Sequence, residues 1–96
     1  MSHIDIRRHH GLGVAGAREC IVQIERELES RFGAGLDWST ERTASVRGRG
    51  VTGTVDVDDE DVRIRMTVGL LFRPLVRRIG VEVEKALDRA FPAPPA

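Results

Sequence analysis

Apolar and polar positions change their period partway through the second half of the chain. Val51, Gly53, Val55 and Val57 alternate with Thr52, Thr54, Asp56 and Asp58. Val62, Ile64, Met66 and Val68 then alternate with Arg63, Arg65 and Thr67. Alternation with period two puts one set of side chains on one face of a strand. The two runs, split by the acidic stretch Asp58–Asp61, therefore predict an antiparallel hairpin with one buried face. From Phe72 the apolar positions become 72, 75, 76, 79, 83, 86, 87, 90 and 91, the stripe of an amphipathic helix.

The first half follows the same two rules. His3 to Arg8 alternates around Ile4 and Ile6 and predicts a short strand. Gly11 and Gly13 break it, and Val14, Ala17, Ile21, Ile24, Leu28 and Phe32 predict a helix over about 14–32, ended by Gly33. Leu36 and Trp38 enter a second strand, Ser39–Glu41 turn, and Ala44 and Val46 mark a third. The connection Gly48-Arg49-Gly50 is expected to be tight, with Val46 opposite Val51 and Ser45 opposite Thr52. Pairing Val57 with Val62 sets Asp56 opposite Arg63, an expected surface ion pair. Pro74 falls where the second helix begins, a place where its missing amide hydrogen costs nothing. Pro92 is expected to stop that helix.

The order is β-α-β-β-β-β-α. Each strand has one apolar face and each helix one apolar stripe, so the expected fold class is α+β: a curved antiparallel sheet with both helices packed on one face. Residues 1–91 form one domain in this reading and 92–96 a Pro/Ala tail. The opposite face, with Thr43, Ser45, Arg47, Thr52, Thr54, Asp56, Arg63, Arg65 and Thr67, is polar. A chain of 96 residues supports one core.

Composition narrows the function classes. Fifteen basic residues balance fifteen acidic ones, so no global field draws the chain to nucleic acid or an anionic membrane. Fourteen of the fifteen are arginine, which a GC-rich genome accounts for. A single cysteine excludes an internal disulfide and agrees with a reducing cytoplasm. Met1–His10 is polar, unlike a secretory signal, and no run approaches the ~18 apolar residues of a membrane span.

Few residues suggest chemistry. His9-His10, with His3 nearby, lacks the convergent partners of a metal site and reads as a solvated or capping pair at the strand-to-helix junction, where a histidine can also bond a backbone carbonyl. Cys20 lies beside the helical stripe with no base partner and reads as half-buried filler. Gly11-x-Gly13-x-x-Gly16 has the spacing of a dinucleotide fingerprint, but the strands that follow read as antiparallel. Asp58-Asp59-Glu60-Asp61 lacks the spaced oxygens of a calcium loop and reads as a solvated turn. No catalytic residue, metal or cofactor is expected.

Two surfaces remain as candidates for a partner. Leu70, Leu71, Phe72, Leu75 and Val76 are more apolar than one helix start requires and form a candidate contact surface. Arg63, Arg65, Arg73, Arg77 and Arg78 form a candidate basic patch, without aromatic platforms for stacking nucleic-acid bases. Val22 and Val81 fall off their helical stripes.

Several landmarks occur in a characteristic order: Ile4-x-Ile6, His10-x-Leu12, Ala17-Arg18, Phe32-Gly33, Trp38, Gly50-Val51-x-Gly53, Leu70-Leu71 with Pro74, and Leu87-Asp88. In these the chain resembles the polyhydroxyalkanoic acid system protein family, small bacterial proteins linked to polyester storage granules. It departs from that pattern where Ser39-Thr40-Glu41 replaces a Gly-Asp turn and Val46 an aromatic residue. The resemblance implies a cytoplasmic, non-enzymatic accessory or binding protein of polyhydroxyalkanoate accumulation or its regulation. Its partner would be the granule surface or a granule protein. The alternative is a small apolar-ligand (acyl or lipid) module with a cavity between the sheet and the C-terminal helix. A hydrolase or isomerase on hydroxyacyl substrates lacks a nucleophile–base pair, and a nucleic-acid regulator would have to use the arginines. A homodimer through the outer sheet face or the strand edges fits so small a domain.

Overall fold

The computed structural model describes residues 2–48 and 50–91, with Ser2 as backbone only. Strand β1 spans Ser2–His9, helix α1 Gly13–Phe32, β2 Gly35–Trp38, β3 Thr43–Gly48, β4 Val51–Val57 and β5 Asp61–Val68. A 3-10 segment, Leu70–Leu75, leads into α2, Val76–Ala90. The sheet order is β1-β5-β4-β3-β2, antiparallel throughout, so β1 and β2 are its edges. The α+β class and element order expected from the periodicities hold. Pro92–Ala96 and Arg49 lie outside the described residues.

Burial follows the alternation. Ile4, Ala44, Val46, Val51, Val55, Val62, Ile64, Met66 and Val68 line the sheet face beneath Ile21, Ile24 and Leu28 of α1 and Ile79, Val83 and Leu87 of α2. The helical stripes are buried at the spacing that puts them on one side of each helix. Gly33 takes a left-handed conformation (φ 62°); its amide donates to the Glu29 carbonyl and the Ala34 amide to the Leu28 carbonyl, closing α1. Among the described residues no helix is long and apolar enough to cross a membrane.

Three expectations need correction. Val51 pairs with Gly48 and Val46 with Gly53, so the β3–β4 register is two residues tighter than expected. Gly48 remains in the strand, leaving only residues 49 and 50 between β3 and β4. Because the shift is even, every side chain keeps its face. Second, Asp56 does oppose Arg63 in the backbone register, but the two side chains do not pair. Arg63 donates to both oxygens of Asp5 at 2.9 and 2.7 Å, and Arg65 reaches Asp56 at 3.1 Å. Arg7 directly opposes Arg63, and a long arginine reaches the diagonal carboxylate instead. Third, Pro74 is not the first residue of the α-helix. It lies inside the 3-10 segment, and the α-helix starts two residues later at Val76.

Helix α1 is also tied to α2 at the surface. Arg89 donates to both oxygens of Glu27 at 2.9 and 2.7 Å, and these bonds hold the Glu27 carboxyl below its usual range. The Arg63 hydrogen bonds do the same for Asp5, and the backbone amides of Asp61 and Glu60 for Asp58. A carboxyl with a lowered folded-state pKa contributes stability above its unfolded value, and loses it as pH falls through the folded value. Urea melts should therefore be flat from neutral pH to about 5 and decline below about 4.5. Glu27→Gln should melt earlier at neutral pH, by on the order of tenths of a molar urea. That difference should close in acid; a gap that stays constant to low pH would show that Glu27 acts through packing alone.

Candidate functional site

The 3-10 segment is held at its start, continues into α2, and has its leucines turned out. At its start, the Gly69 amide donates to the Gly50 carbonyl at 2.7 Å, and the Phe72 amide to the Gly69 carbonyl at 3.0 Å. The Phe72 ring lies directly on Gly50: a Cβ built there would come 2.2 Å from Cδ2 of the ring. Gly50 also has φ +69°, so this turn requires glycine for both space and backbone. Phe72 and Val76 pack against the core, whereas Leu70 is 75% exposed, Leu71 91% and Leu75 43%. Of the five residues in the candidate contact surface, the structure thus presents three to solvent and uses two as their footing.

Beside this segment runs a cleft of about 560 Å³ between the end of α1, the start of α2 and β4. Phe32, Val51, Phe72, Leu75 and Ile79 give it an apolar floor, and Arg31, Arg78 and Glu82 a charged rim. Arg31 donates to Glu82 at 2.7 Å across the rim. Among the described residues Arg78 has no ion-pair partner. A cavity between the sheet and the C-terminal helix is expected from the sequence, but its charged rim is not, because Arg31 and Glu82 belong to different helices. Only the last residue of the α1 stripe, Phe32, signals an apolar side chain at that end.

The candidate basic patch is divided. Arg63 and Arg65 project from the sheet face opposite the helices and are bonded to Asp5 and Asp56. Thr43 also donates to Asp56, at 3.2 Å. Arg73, Arg77 and Arg78 belong to the helix layer, exposed and outside the ion pairs found among the described residues.

The histidines and glycines of the first loop serve the fold. The Leu12 amide donates to His10 Nδ1 at 2.9 Å, so the ring proton sits on Nε2, 3.0 Å from the Asp58 carbonyl. The same ring lies 5.7 Å from that of Phe91, joining the β1–α1 loop, the β4–β5 turn and the end of α2. His9 Nδ1 lies 3.1 Å from Asp61, and His3 Nδ1 3.2 Å from the Thr67 hydroxyl. Among the described residues no three His, Cys, Asp or Glu side chains are placed to hold a metal. The Gly11 and Gly13 amides donate to Glu60 and Asp59 carbonyls, so they do not face an open phosphate site. Asp58 accepts from the Glu60 and Asp61 amides, which makes the acidic run a self-capped turn. Cys20 is half-buried against the core.

No curated protein and no solved structure matches the chain. A family model, described as polyhydroxyalkanoic acid system protein, matches residues 4–91, which takes in both helices, β2 to β5 and β1 from Ile4 onward. By that match the chain belongs to the polyhydroxyalkanoic acid system protein family.

Proposed function

We propose that this chain is a non-enzymatic accessory protein of polyhydroxyalkanoate storage in the cytoplasm. In this reading it docks on the apolar granule surface, or on a granule protein, through Leu70, Leu71 and Leu75. The observation that carries the reading is the exposure of Leu71, 91%, on a segment anchored by Phe72 and by the Gly69 amide. A leucine so exposed at the tip of a held segment costs the free protein apolar hydration that a polymer surface would relieve. The non-enzymatic part rests on the engagement of His3, His9 and His10 in bonds that fix loops and strands. It rests also on Cys20, which is half-buried and packs against the core.

Co-sedimentation of the purified protein with polyhydroxyalkanoate granules tests the reading. Retention at low and high salt alike is expected, since apolar burial is not screened. Loss of binding at high salt would replace apolar docking with an electrostatic contact, and no binding at all would end the granule reading.

The cleft supports a second reading, a module for small acyl or lipid ligands. Its volume of about 560 Å³ lies within the range of ~300–1,000 Å³ typical of small-ligand sites. An apolar floor below Arg78 suits an aliphatic chain ending in a carboxylate. Native mass spectrometry of freshly purified protein should then show a bound adduct of that mass class. Displacement of the adduct by Arg78→Glu would place it in the cleft; an adduct-free spectrum would leave the docking reading alone.

A further inference from the structure

Beside the edge strand β1, helix α2 carries a stripe that neither α1 nor the sheet covers. It runs Arg73, Arg77, Gly80, Val81, Glu84, Asp88, with Arg73 in the 3-10 segment and the rest in α2. All are exposed except Gly80, which is half-buried, and Val81 remains 48% exposed. These spacings of three and four residues place the five α2 residues on one side of the helix, with Arg73 just ahead of them in the 3-10 segment. The charges are segregated: arginines toward the N-terminal end, carboxylates toward the C-terminal end. That is the reverse of what the helix dipole favours, and the first turn of α2 holds no acidic residue at all. Within one copy the pattern breaks a local rule for no local gain.

The pattern is complementary to itself. If a second α2 lies antiparallel, about a two-fold axis midway between Gly80 and Val81, then Arg77 of each copy faces Glu84 of the other. Arg73 faces Asp88, which also keeps its bond from Arg8. Val81 of each copy settles over Gly80 of the other, where a missing side chain allows close approach. The opposed helix dipoles are also favourable in this orientation.

The sheet supplies the second half of the contact. Among the described residues β1 has one neighbour, β5, so every second one of its eight residues turns its backbone groups to an open edge. No proline or bulge interrupts it: its pairing with β5 runs unbroken from Ser2 to His9. The groove between β1 and α2 is lined by Ile4, Ile6, Val76, Gly80 and Val81. A Cβ placed on Gly80 would lie 4.0 Å from Ile4 Cδ1, so strand edge and helix stripe meet there. Antiparallel pairing of β1 with its copy would continue the sheet and bring the two α2 helices side by side on the same face. The face rule restricts that pairing to even-numbered residues opposite even-numbered ones, which keeps Ile4 and Ile6 on the core side in both copies.

We propose that the occupant of this surface is a second copy of the chain, in a two-fold dimer built from α2 against α2 and β1 against β1. The inference stands apart from the granule reading and survives its failure. Sedimentation or light scattering should give twice the chain mass of 10.6 kDa. Arg77→Glu and Glu84→Arg should each weaken association by at least about tenfold, because two contacts per dimer become repulsive. Mixed in equal amounts, the two variants should recover the dimer, since the substituted residues at 77 and 84 then face each other on one side and Arg77 faces Glu84 on the other. Both positions are exposed, and unchanged circular dichroism checks that each variant folds. A monomeric wild type, single variants that still dimerise, or folded variants that stay monomeric on mixing would each overturn the proposal.

Discussion

Gly53→Ala should lower the melting temperature by roughly 12–24 °C, the equivalent of about 3 kcal/mol for a domain of this size. Gly53 lies in β4 opposite Met66, on the face that carries the core. The two backbones approach so closely there that a Cβ would come 2.2 Å from the Arg65 carbonyl oxygen and 2.9 Å from the Met66 Cα. Neither atom belongs to a side chain that can swing away. The methyl group must push apart β4 and β5, whose Val55, Val57, Val62 and Ile64 are all but fully buried. A total stability on the order of 5–10 kcal/mol leaves little margin for such a loss. Gly35→Ala is the control, because nothing lies within 4 Å of a Cβ built there and its φ is not positive. It should melt within a degree or two of the wild type or slightly above it, as less chain entropy is then lost on folding. A Gly53→Ala protein that melts with that control would mean the strands can part at no cost.

Position 53 also illustrates what the sequence does and does not disclose. The alternation Val51, Gly53, Val55, Val57 assigns Gly53 to the inward face, and it is found there. The alternation is silent on why that place is empty, because the answer lies in a neighbouring strand's backbone. The same division runs through the rest of the fold. Strand faces, helix stripes and the order of elements follow from period two and period 3.6, which are local properties. The β3–β4 register does not, since Gly48-Arg49-Gly50 can close as a longer or a shorter turn without changing any face. Nor do the ion-pair partners: Asp5 is remote in sequence from Arg63 and comes within reach only once β1 has joined β5.

The candidate site divides in the same way. Leu70 to Val76 is recognisable as an apolar excess, but the roles within it are set by the 3-10 winding and by Gly50. The 3-10 winding that contains Pro74 leaves Leu70 and Leu71 outward, and Gly50 provides the seat for Phe72. The basic patch fails as a unit because alternation places Arg63 and Arg65 on the outer sheet face, while the helical arginines lie in the other layer. The self-complementary stripe on α2 is present in the sequence as charges at helical spacing. Its meaning requires knowing that β1, not β2, is the edge beside α2.

Replacing both Leu70 and Leu71 with serine should abolish retention on granules while leaving the fold intact. The three exposed leucines offer on the order of 300 Å² for burial, or about 7 kcal/mol at ~25 cal/mol per Å². Association itself costs an estimated ~4–15 kcal/mol, so the docking of one segment is marginal to begin with. Removing two of the three leucines takes away most of a driving force that has no surplus, and retention should fall to background. Stability should move by no more than about 0.5 kcal/mol, because both side chains are already in water in the free protein. Phe72→Ser gives the contrast. Its ring covers Gly50 and packs on the core, so that variant should lose stability by about 2–4 kcal/mol through the vacated space. Any loss of binding it shows would then reflect unfolding as much as docking. If the Leu70→Ser, Leu71→Ser protein sediments with granules as well as the wild type does, the leucines are not the anchor. The contact would then have to be sought on the arginines of the helix layer, where Arg73→Ala and Arg78→Ala should weaken it and added salt should release it.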